Sequence, residues 1–220
     1  MKESISRNSL LLGLFALVTA GLLAGTNEST KDRIQAAERK AAQKALLEIV
    51  PLDRHSNDLL VDTVAIPAEY WEALGLDQGG DINIARDNGK AVAAIIPAVA
   101  PDGYSGEIKL IVGINQDGSV AGVRVLSHNE TPGLGDKIDL KKSPWVLGFN
   151  GRSLKDPGPD AWQVKKDGGE FDQLTGATIT PRAVVNQVRR ALDYFEAQQS
   201  VIFAEKQPGP QSSEVKSNEH

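Results

Sequence analysis

The stretch GEIKLIVGINQDGSVAGVRVLSH, Gly106 to His128, predicts a β-hairpin that covers a hydrophobic core. Asp117 and Gly118 are turn residues, and they separate two β-type runs. Side chains alternate between the two faces of a strand, so each run has one apolar face. These faces carry Ile108, Leu110 and Val112 in the first strand and Val123 and Val125 in the second. The pattern indicates a sheet of antiparallel strands.

The preceding segment repeats this arrangement. In DINIARDNGKAVAAIIPAV, residues 81–99, the triplet Asp87-Asn88-Gly89 predicts a tight turn between two β-type runs. DLLVDTVAI, residues 58–66, is a further β-type run. A hairpin-rich middle argues against a doubly wound nucleotide-binding fold, and no GxGxxG motif follows a predicted strand.

The strongest helix signal begins at Thr180. Thr180 is a suitable N-cap, Pro181 fits the first helical position, and apolar residues follow at helical spacing to about Gln199. With the hairpins, this helix predicts an α+β domain over residues 51–204. Residues 205–220 are polar and contain proline, which predicts a disordered tail.

The amino-terminal segment predicts a membrane anchor. Residues 8–27 carry no charge, and at about 1.5 Å per residue they form a helix of about 30 Å, the thickness of a bilayer core. Lys2 and Arg7 precede this run, so residues 1–27 are predicted as a cytoplasmic terminus and transmembrane anchor, with the remaining chain exported. A cleaved secretory signal with a small-residue site at Val18–Ala20 is the alternative.

Residues 28–50 predict a juxtamembrane helix. They are rich in Ala, Lys, Glu and Gln, apolar residues recur at roughly helical spacing, and Pro51 ends the run. Ser29 or Thr30 can serve as the N-cap. We interpret this helix as a stalk that leads from the membrane into the domain, with a partner-binding helix as the alternative.

Composition excludes several classes of function. The 220 residues carry a net charge of −5, which argues against binding to nucleic acid. The chain has no cysteine, so disulfides, iron–sulfur clusters and thiolate zinc sites are excluded. His55, His128 and His220 are scattered without paired spacing, and no metal site is predicted. Redox chemistry would therefore require an organic cofactor.

A candidate site precedes the predicted helix in DQLTGATIT, residues 172–180. Free backbone N–H groups and the helix dipole favour an anion near Thr175 and Thr178. Gly176 permits a sharp turn and close approach of a ligand, and Ala177 adds little bulk. A phosphate neighbour and a plain turn into a capped helix both fit these residues.

Three blocks of the sequence resemble one known family. DQLTGAT, Asp172–Thr178, resembles the D-x-x-[ST]-G-A-T motif of FMN-binding domains to which a flavin transferase attaches FMN. HNETPGLGDKI, residues 128–138, is similar to a Glu-Thr-Pro-Gly-Leu-Gly segment of that family. GYSGEIKL, residues 103–110, resembles the start of the family's domain. The order of these blocks after a membrane helix resembles the G subunit of the Rnf-type ion-translocating electron transport complex. The corresponding flavin protein of the sodium-pumping NADH:quinone reductase is an alternative with the same threonyl-FMN pattern.

The resemblance implies a role for each residue of the attachment motif. FMN would be joined through a phosphoester to Thr178, and Asp172, Thr175, Gly176 and Ala177 would complete the sequence that the transferase reads. The flavin would carry electrons between other subunits of a membrane complex, without substrate chemistry of its own. The domain would lie on the periplasmic side of the cytoplasmic membrane.

In the second block, the resemblance implies contacts with the isoalloxazine ring. Thr131 and the backbone from Gly133 to Gly135 would approach the ring, and Leu134 would be an apolar contact. Glu130 would either fix the loop or tune the properties of the flavin. The alternative is that Glu130 is a solvated loop carboxylate without a role in the site.

Three further features are better explained without a site. Trp145 and Trp162 are interpreted as core residues rather than as groups that flank the ring. Glu69 and Glu72 are interpreted as a solvated face rather than as a glycosidase pair, and His128 as a polar residue at a strand end. An exported binding or scaffold module without a cofactor is the rival of a different functional class.

Overall fold

The computed structural model describes residues 11–23, 40 and 42–204, in two compact units that divide between Lys44 and Ala45. In the first unit, residues 11–23 are helical. Among the described residues, no helix combines the length and the apolar character that a membrane crossing requires. The predicted anchor and juxtamembrane helix are only partly within the described residues, and the predicted tail lies outside them.

The second unit is built on a five-stranded sheet whose spatial order is the order of the sequence. Each strand pairs antiparallel with the next. The strands are β1 (Thr63–Ala65), β2 (Asp81–Asp87), β3 (Lys90–Gly103), β4 (Gly106–Asn115) and β5 (Val120–Ser127). The predicted α+β class with antiparallel strands is confirmed.

Both predicted turns connect neighbouring strands. Between β2 and β3, Asn88 and Gly89 have φ angles of 49° and 81°, as a two-residue type I′ turn requires. Between β4 and β5, the side chain and backbone of Ser119 donate hydrogen bonds to Asp117, and they lower the pKa of its carboxyl group. These two turns fix the register in which β2 pairs with β3 and β4 pairs with β5, so that one apolar face of each strand lies toward the core.

One face of the sheet packs against a 24-residue helix, Ile179–Ile202. The predicted apolar residues of β4 lie in this core, as does Val123 of β5, while Val125 is partly buried against it. From the helix, the core takes Val184, Val188, Leu192 and Phe195.

The predicted start of this helix is wrong by two residues. Thr178 is the N-cap, and Thr180 lies inside the first turn, where it is fully buried. Its hydroxyl donates a hydrogen bond to the carboxylate of Glu130 and does not cap the helix. A buried charged acceptor is a stronger partner than a backbone N–H group, so this contact decides the side-chain position.

The opposite face of the sheet is covered by residues that precede β1. Residues 42–49 are helical, and Leu46, Ile49 and Val50 are buried in a second hydrophobic cluster on this face. Ile49 occupies the space above Gly113, where an added Cβ atom would lie 2.2 Å from its Cγ2 atom. The last turns of the predicted stalk therefore belong to the packing of the domain.

The connection from β5 to the long helix is irregular, as the sequence predicts. It contains four 3₁₀ helices, Gly135–Ile138, Pro144–Phe149, Pro159–Ala161 and Lys165–Asp167. An aromatic cluster holds it to the core, with Phe171 at ring distances of 4.7 Å from Phe149 and 4.8 Å from Trp162. Trp162 is fully buried, which confirms its interpretation as a core residue.

Candidate functional site

A β-turn over Leu174–Ala177 leads into the long helix. The backbone N–H of Ala177 donates to the carbonyl oxygen of Leu174 at 3.0 Å, and Gly176 has a φ angle of 79°. A positive φ at the third turn position is the signature of a type II turn, which favours glycine there. Thr175 is exposed at the tip of the turn, and Thr178 is half-buried one residue beyond it.

Thr178 stands at the amino terminus of the helix with its hydroxyl outside any capping hydrogen bond. Its carbonyl oxygen accepts from the N–H of Arg182 at 3.4 Å, so its backbone already belongs to the first turn. The first N–H groups of a helix lack intrahelical acceptors, and together with the dipole they favour a negative charge at this position. The Thr178 hydroxyl thus lies where a phosphate is electrostatically stabilised.

Asp172 is held at the outer edge of the motif. Its carbonyl oxygen accepts a hydrogen bond from Nε1 of Trp145 at 2.6 Å, and its carboxylate pairs with Lys165 at 2.6 Å. Both members of this ion pair are more than half exposed, so the pair adds little to stability. Its main consequence is an accessible carboxylate six residues before Thr178.

Glu130 joins two of the three blocks that resemble the flavin family to the start of the long helix, two residues after the third block. Its Oε1 atom accepts from the backbone N–H of Ser105 at 3.0 Å, and its Oε2 atom accepts from the Thr180 hydroxyl at 2.5 Å. Its own N–H donates to Nδ1 of His128 at 3.1 Å. Glu130 is only 4% exposed, so the interpretation as a solvated carboxylate is wrong. The side chain fixes the second block to the turn between β3 and β4 and to the helix.

The second block closes on itself and on the turn over Leu174–Ala177, which we call the attachment turn after the motif that contains it. The carbonyl oxygen of Thr131 accepts from the N–H of Leu134 at 3.1 Å. Leu134 is 40% exposed, and its Cδ2 atom lies 3.2 Å from the position of a Cβ atom at Gly176. Gly133 has a φ angle of 78°, and the structure places Gly135 directly against Glu130. The two predicted motifs are therefore in contact although the loop between them is long.

Sequence reasoning missed four residues of this region. Ser105 and Thr180 bind Glu130, while Tyr104 and Ile179 expose 66% and 46% of their surface beside these contacts. Tyr104 and Ser105 could have been found from the sequence, because both lie in the GYSG segment that resembles the family. For Thr180, the capping pattern was misleading, because a threonine near a helix start is equally consistent with a buried hydrogen bond.

A separate ion pair flanks the attachment turn on the surface. Arg182 donates two hydrogen bonds to Asp167, which lower the pKa of the Asp167 carboxyl group and raise that of the guanidinium. These side chains line a cavity of about 180 Å³ together with Asn186 and Arg189. None of the site residues predicted from the two motifs lines this cavity.

Comparisons with known proteins agree with this arrangement. Residues 103–193 match the FMN-binding domain family, and residues 1–49 match the RnfG N-terminal region. Proteins named as the G subunit of an ion-translocating oxidoreductase complex match nearly the whole chain. The relative from Pseudomonas aeruginosa is 52% identical over 92% of this chain and 94% of its own length. The relatives from Shewanella loihica and Vibrio atlanticus are 50% and 46% identical, over 92% and 93% of this chain and 95% and 97% of their own.

The chain belongs to the RnfG family, the G subunits of ion-translocating oxidoreductase complexes. The resemblance drawn from the three blocks is therefore confirmed, and between the two flavin proteins weighed from the sequence the relatives decide for RnfG. The match to the FMN-binding domain family contains all three blocks and also Thr180, the residue of the long helix that binds Glu130.

Proposed function

We propose that this protein is the FMN-carrying subunit of an ion-translocating oxidoreductase complex and holds its flavin covalently on Thr178. The observation that carries this proposal is the position of the Thr178 hydroxyl. It stands outside any capping bond at the start of a 24-residue helix, on a turn that contacts the second motif. The family match and the names of the relatives support the cofactor and the complex.

Attachment is an esterification at Thr178. A bond forms between its Oγ1 atom and the phosphorus of FMN, and the bond from that phosphorus to the leaving group of an activated FMN donor breaks. The hydroxyl proton passes to a base of the flavin transferase. The product is a phosphodiester with one negative charge, which the helix terminus stabilises by about 0.3 to 1 kcal/mol when exposed. Asp172 and Thr175 are exposed and would be read by the transferase.

The second block would shape the surface on which the flavin rests. Leu134 is half-exposed beside Gly176 and offers an apolar contact, while its N–H bond to Thr131 closes the loop and Gly135 packs against Thr180 at the helix start. Gly133, with its positive φ angle, permits the turn of this loop. When bound, FMN would supply the electron transfer. Glu130 acts on this surface through the residues that it binds, because its carboxylate is buried.

The proposed location is the periplasmic side of the cytoplasmic membrane, with residues 8–27 as the anchor. The uncharged run and the preceding Lys2 and Arg7 support this topology. The match of residues 1–49 to the RnfG N-terminal region agrees with an amino-terminal segment typical of the family. Partners would be the other subunits of the complex and, during maturation, the flavin transferase. Protease added to spheroplasts should digest the domain, and full protection would contradict this orientation.

The attachment test compares two threonines of the same motif. The full chain is co-expressed with a flavin transferase, and its intact mass is measured after denaturation. The wild type should carry the mass of one FMN through a phosphoester, and Thr178→Ala should weigh no more than the polypeptide. Thr175→Ala should carry FMN on a smaller fraction of chains, because the transferase would read Thr175. Thr178→Ser keeps a hydroxyl and serves as the matched control. A label that persists in Thr178→Ala and disappears in Thr175→Ala would move the attachment site to Thr175.

A further inference from the structure

We propose that the hydrogen bond from Thr180 to Glu130 orients the Thr178 hydroxyl for flavin attachment, so that Thr180 is a positioning residue for this modification. The proposal rests on the proposed function, because it concerns the reactivity of Thr178. It assigns a role to a residue outside the attachment motif. It also gives the buried carboxylate of Glu130 a task in maturation.

Thr178 and Thr180 face opposite sides of the first helical turn. Two residues along an α-helix correspond to a rotation of about 200°, so one side chain points inward when the other points outward. Thr180 is fully buried, whereas Thr178 is only half-buried. A bond that fixes the rotation of the helix at Thr180 therefore also fixes the direction in which Thr178 presents its hydroxyl.

The first turn is also held by the buried Pro181 and by the surface pair of Arg182 with Asp167, and the Thr180 bond is its buried polar contact. The N–H groups at a helix start have no acceptors within the helix, and Pro181 has no N–H group at all. The side chain of Thr178 makes no capping bond. A hydrogen bond to a buried carboxylate is stronger than one between neutral groups, and here it spans 50 residues of sequence.

The acceptor end of this bond is itself immobile. The Oε1 atom of Glu130 is held by the backbone of Ser105, and its N–H by the ring of His128. Gly135 packs against the bond, since an added Cβ atom would lie 2.7 Å from Oε2 of Glu130 and 2.8 Å from Oγ1 of Thr180. Through Glu130, the start of the helix is therefore held in a fixed position relative to the turn between β3 and β4.

The test measures the rate of attachment separately from folding. Full-length protein is co-expressed with the transferase, the fraction that carries FMN is followed by intact mass, and the unfolding midpoint is followed by circular dichroism. Thr180→Val keeps the shape and loses the donor, whereas Thr180→Ser keeps the donor. Thr180→Val should slow attachment at least about tenfold, in line with the effect of small misplacements on reactivity, and Thr180→Ser should stay within about twofold of wild type.

A second pair of variants separates positioning from stability. Ile84→Val shortens a fully buried side chain on β2, remote from the attachment turn, and should lower the unfolding midpoint without slowing attachment. Glu130→Gln keeps the shape but offers one acceptor oxygen to two donors, the Ser105 N–H and the Thr180 hydroxyl, so one of these bonds is lost or reversed and attachment should slow about threefold. If Thr180→Val does not fold, the rate of Glu130→Gln decides.

Each outcome bears on the proposal. Wild-type attachment rates in folded Thr180→Val, or in Glu130→Gln, would overturn it. So would a slowing in Ile84→Val equal to that in Thr180→Val at matched stability, because stability alone would then explain the effect. A wild-type protein that never acquires FMN would instead contradict the proposed function, which keeps the two failures distinct.

Discussion

The Cβ atom that Gly135 lacks would lie 2.7 Å from the Oε2 atom of Glu130. No side chain fits at this position without displacing a carboxylate that is 4% exposed and hydrogen-bonded on both oxygens. Within the second motif, Gly135 therefore packs directly against Glu130. The close approach explains why a glycine stands at position 135.

Gly135→Ala should destabilise the domain. The methyl group must push away either Glu130 or Thr180, and forced overpacking of this kind costs about 1 to 3 kcal/mol. Urea unfolding of the variant and of Gly148→Ala would measure the effect. Gly148 is the control because a Cβ atom there meets no atom within 4 Å. Equal unfolding midpoints for the two variants would show that the loop yields without cost.

Gly176→Ala should distort the turn before Thr178. The φ angle of 79° costs a residue with a Cβ atom about 1 to 2 kcal/mol, and the methyl group would lie 3.2 Å from Leu134. We expect a lower unfolding midpoint and a smaller fraction of chains that carry FMN. Normal stability together with normal attachment would contradict the importance of this turn geometry.

Ile49→Ala should loosen the segment that covers the second face of the sheet. Ile49 is 3% exposed and fills the space above Gly113, and truncation of such a residue costs about 2 to 5 kcal/mol. Leu52→Ala, at a position that is 73% exposed, should change stability little. Denaturant unfolding compares the two variants, and an equal loss in both would show that residues 45–50 are not part of the cooperative unit.

The raised pKa of Tyr194 predicts that the folded domain loses stability at alkaline pH. Burial raises its pKa to about 12 from the ordinary value of 10.0, and the neighbouring Tyr70 contributes to the shift. The unfolded chain therefore releases this proton first, so the contribution is complete below pH 10 and is lost as the pH rises toward 12.

Tyr194→Phe should remove this pH dependence. The difference in unfolding free energy between the variant and the wild type should shift in favour of the variant between pH 10 and 12, and should be constant near pH 7. The measurement near neutral pH is the control, because tyrosine is then uncharged in both states. A constant difference across the whole range would show that Tyr194 titrates normally.

The sheet was largely predictable because its signals are local. Turn residues at Asn88-Gly89 and Asp117-Gly118 and the alternation of apolar residues define the hairpins, and the structure has both. The packing of Ile49 was not predictable from such signals. Ile49 packs into the space that Gly113, more than sixty residues later, leaves open because it has no side chain. A helical pattern alone does not show which surface the helix covers.

The candidate site was recognised through motif resemblance rather than through physics. Local reasoning reached a phosphate neighbour at Thr178 and no further, since a helix start favours many anions. The burial of Glu130 was also invisible in the sequence, because a carboxylate in a Gly- and Pro-rich loop is usually solvated. Only the fold brings Ser105 and Thr180 to its two oxygens.

The chain enters this domain on one side of the sheet, through Ile49, and the helix that starts after Thr178 lies on the other. A sheet with its side chains is about 10 Å thick, so the two layers do not compete for the same surface. Substitutions at Ile49 and at Val188 therefore remove contacts from separate layers, and their effects on the free energy of unfolding should add.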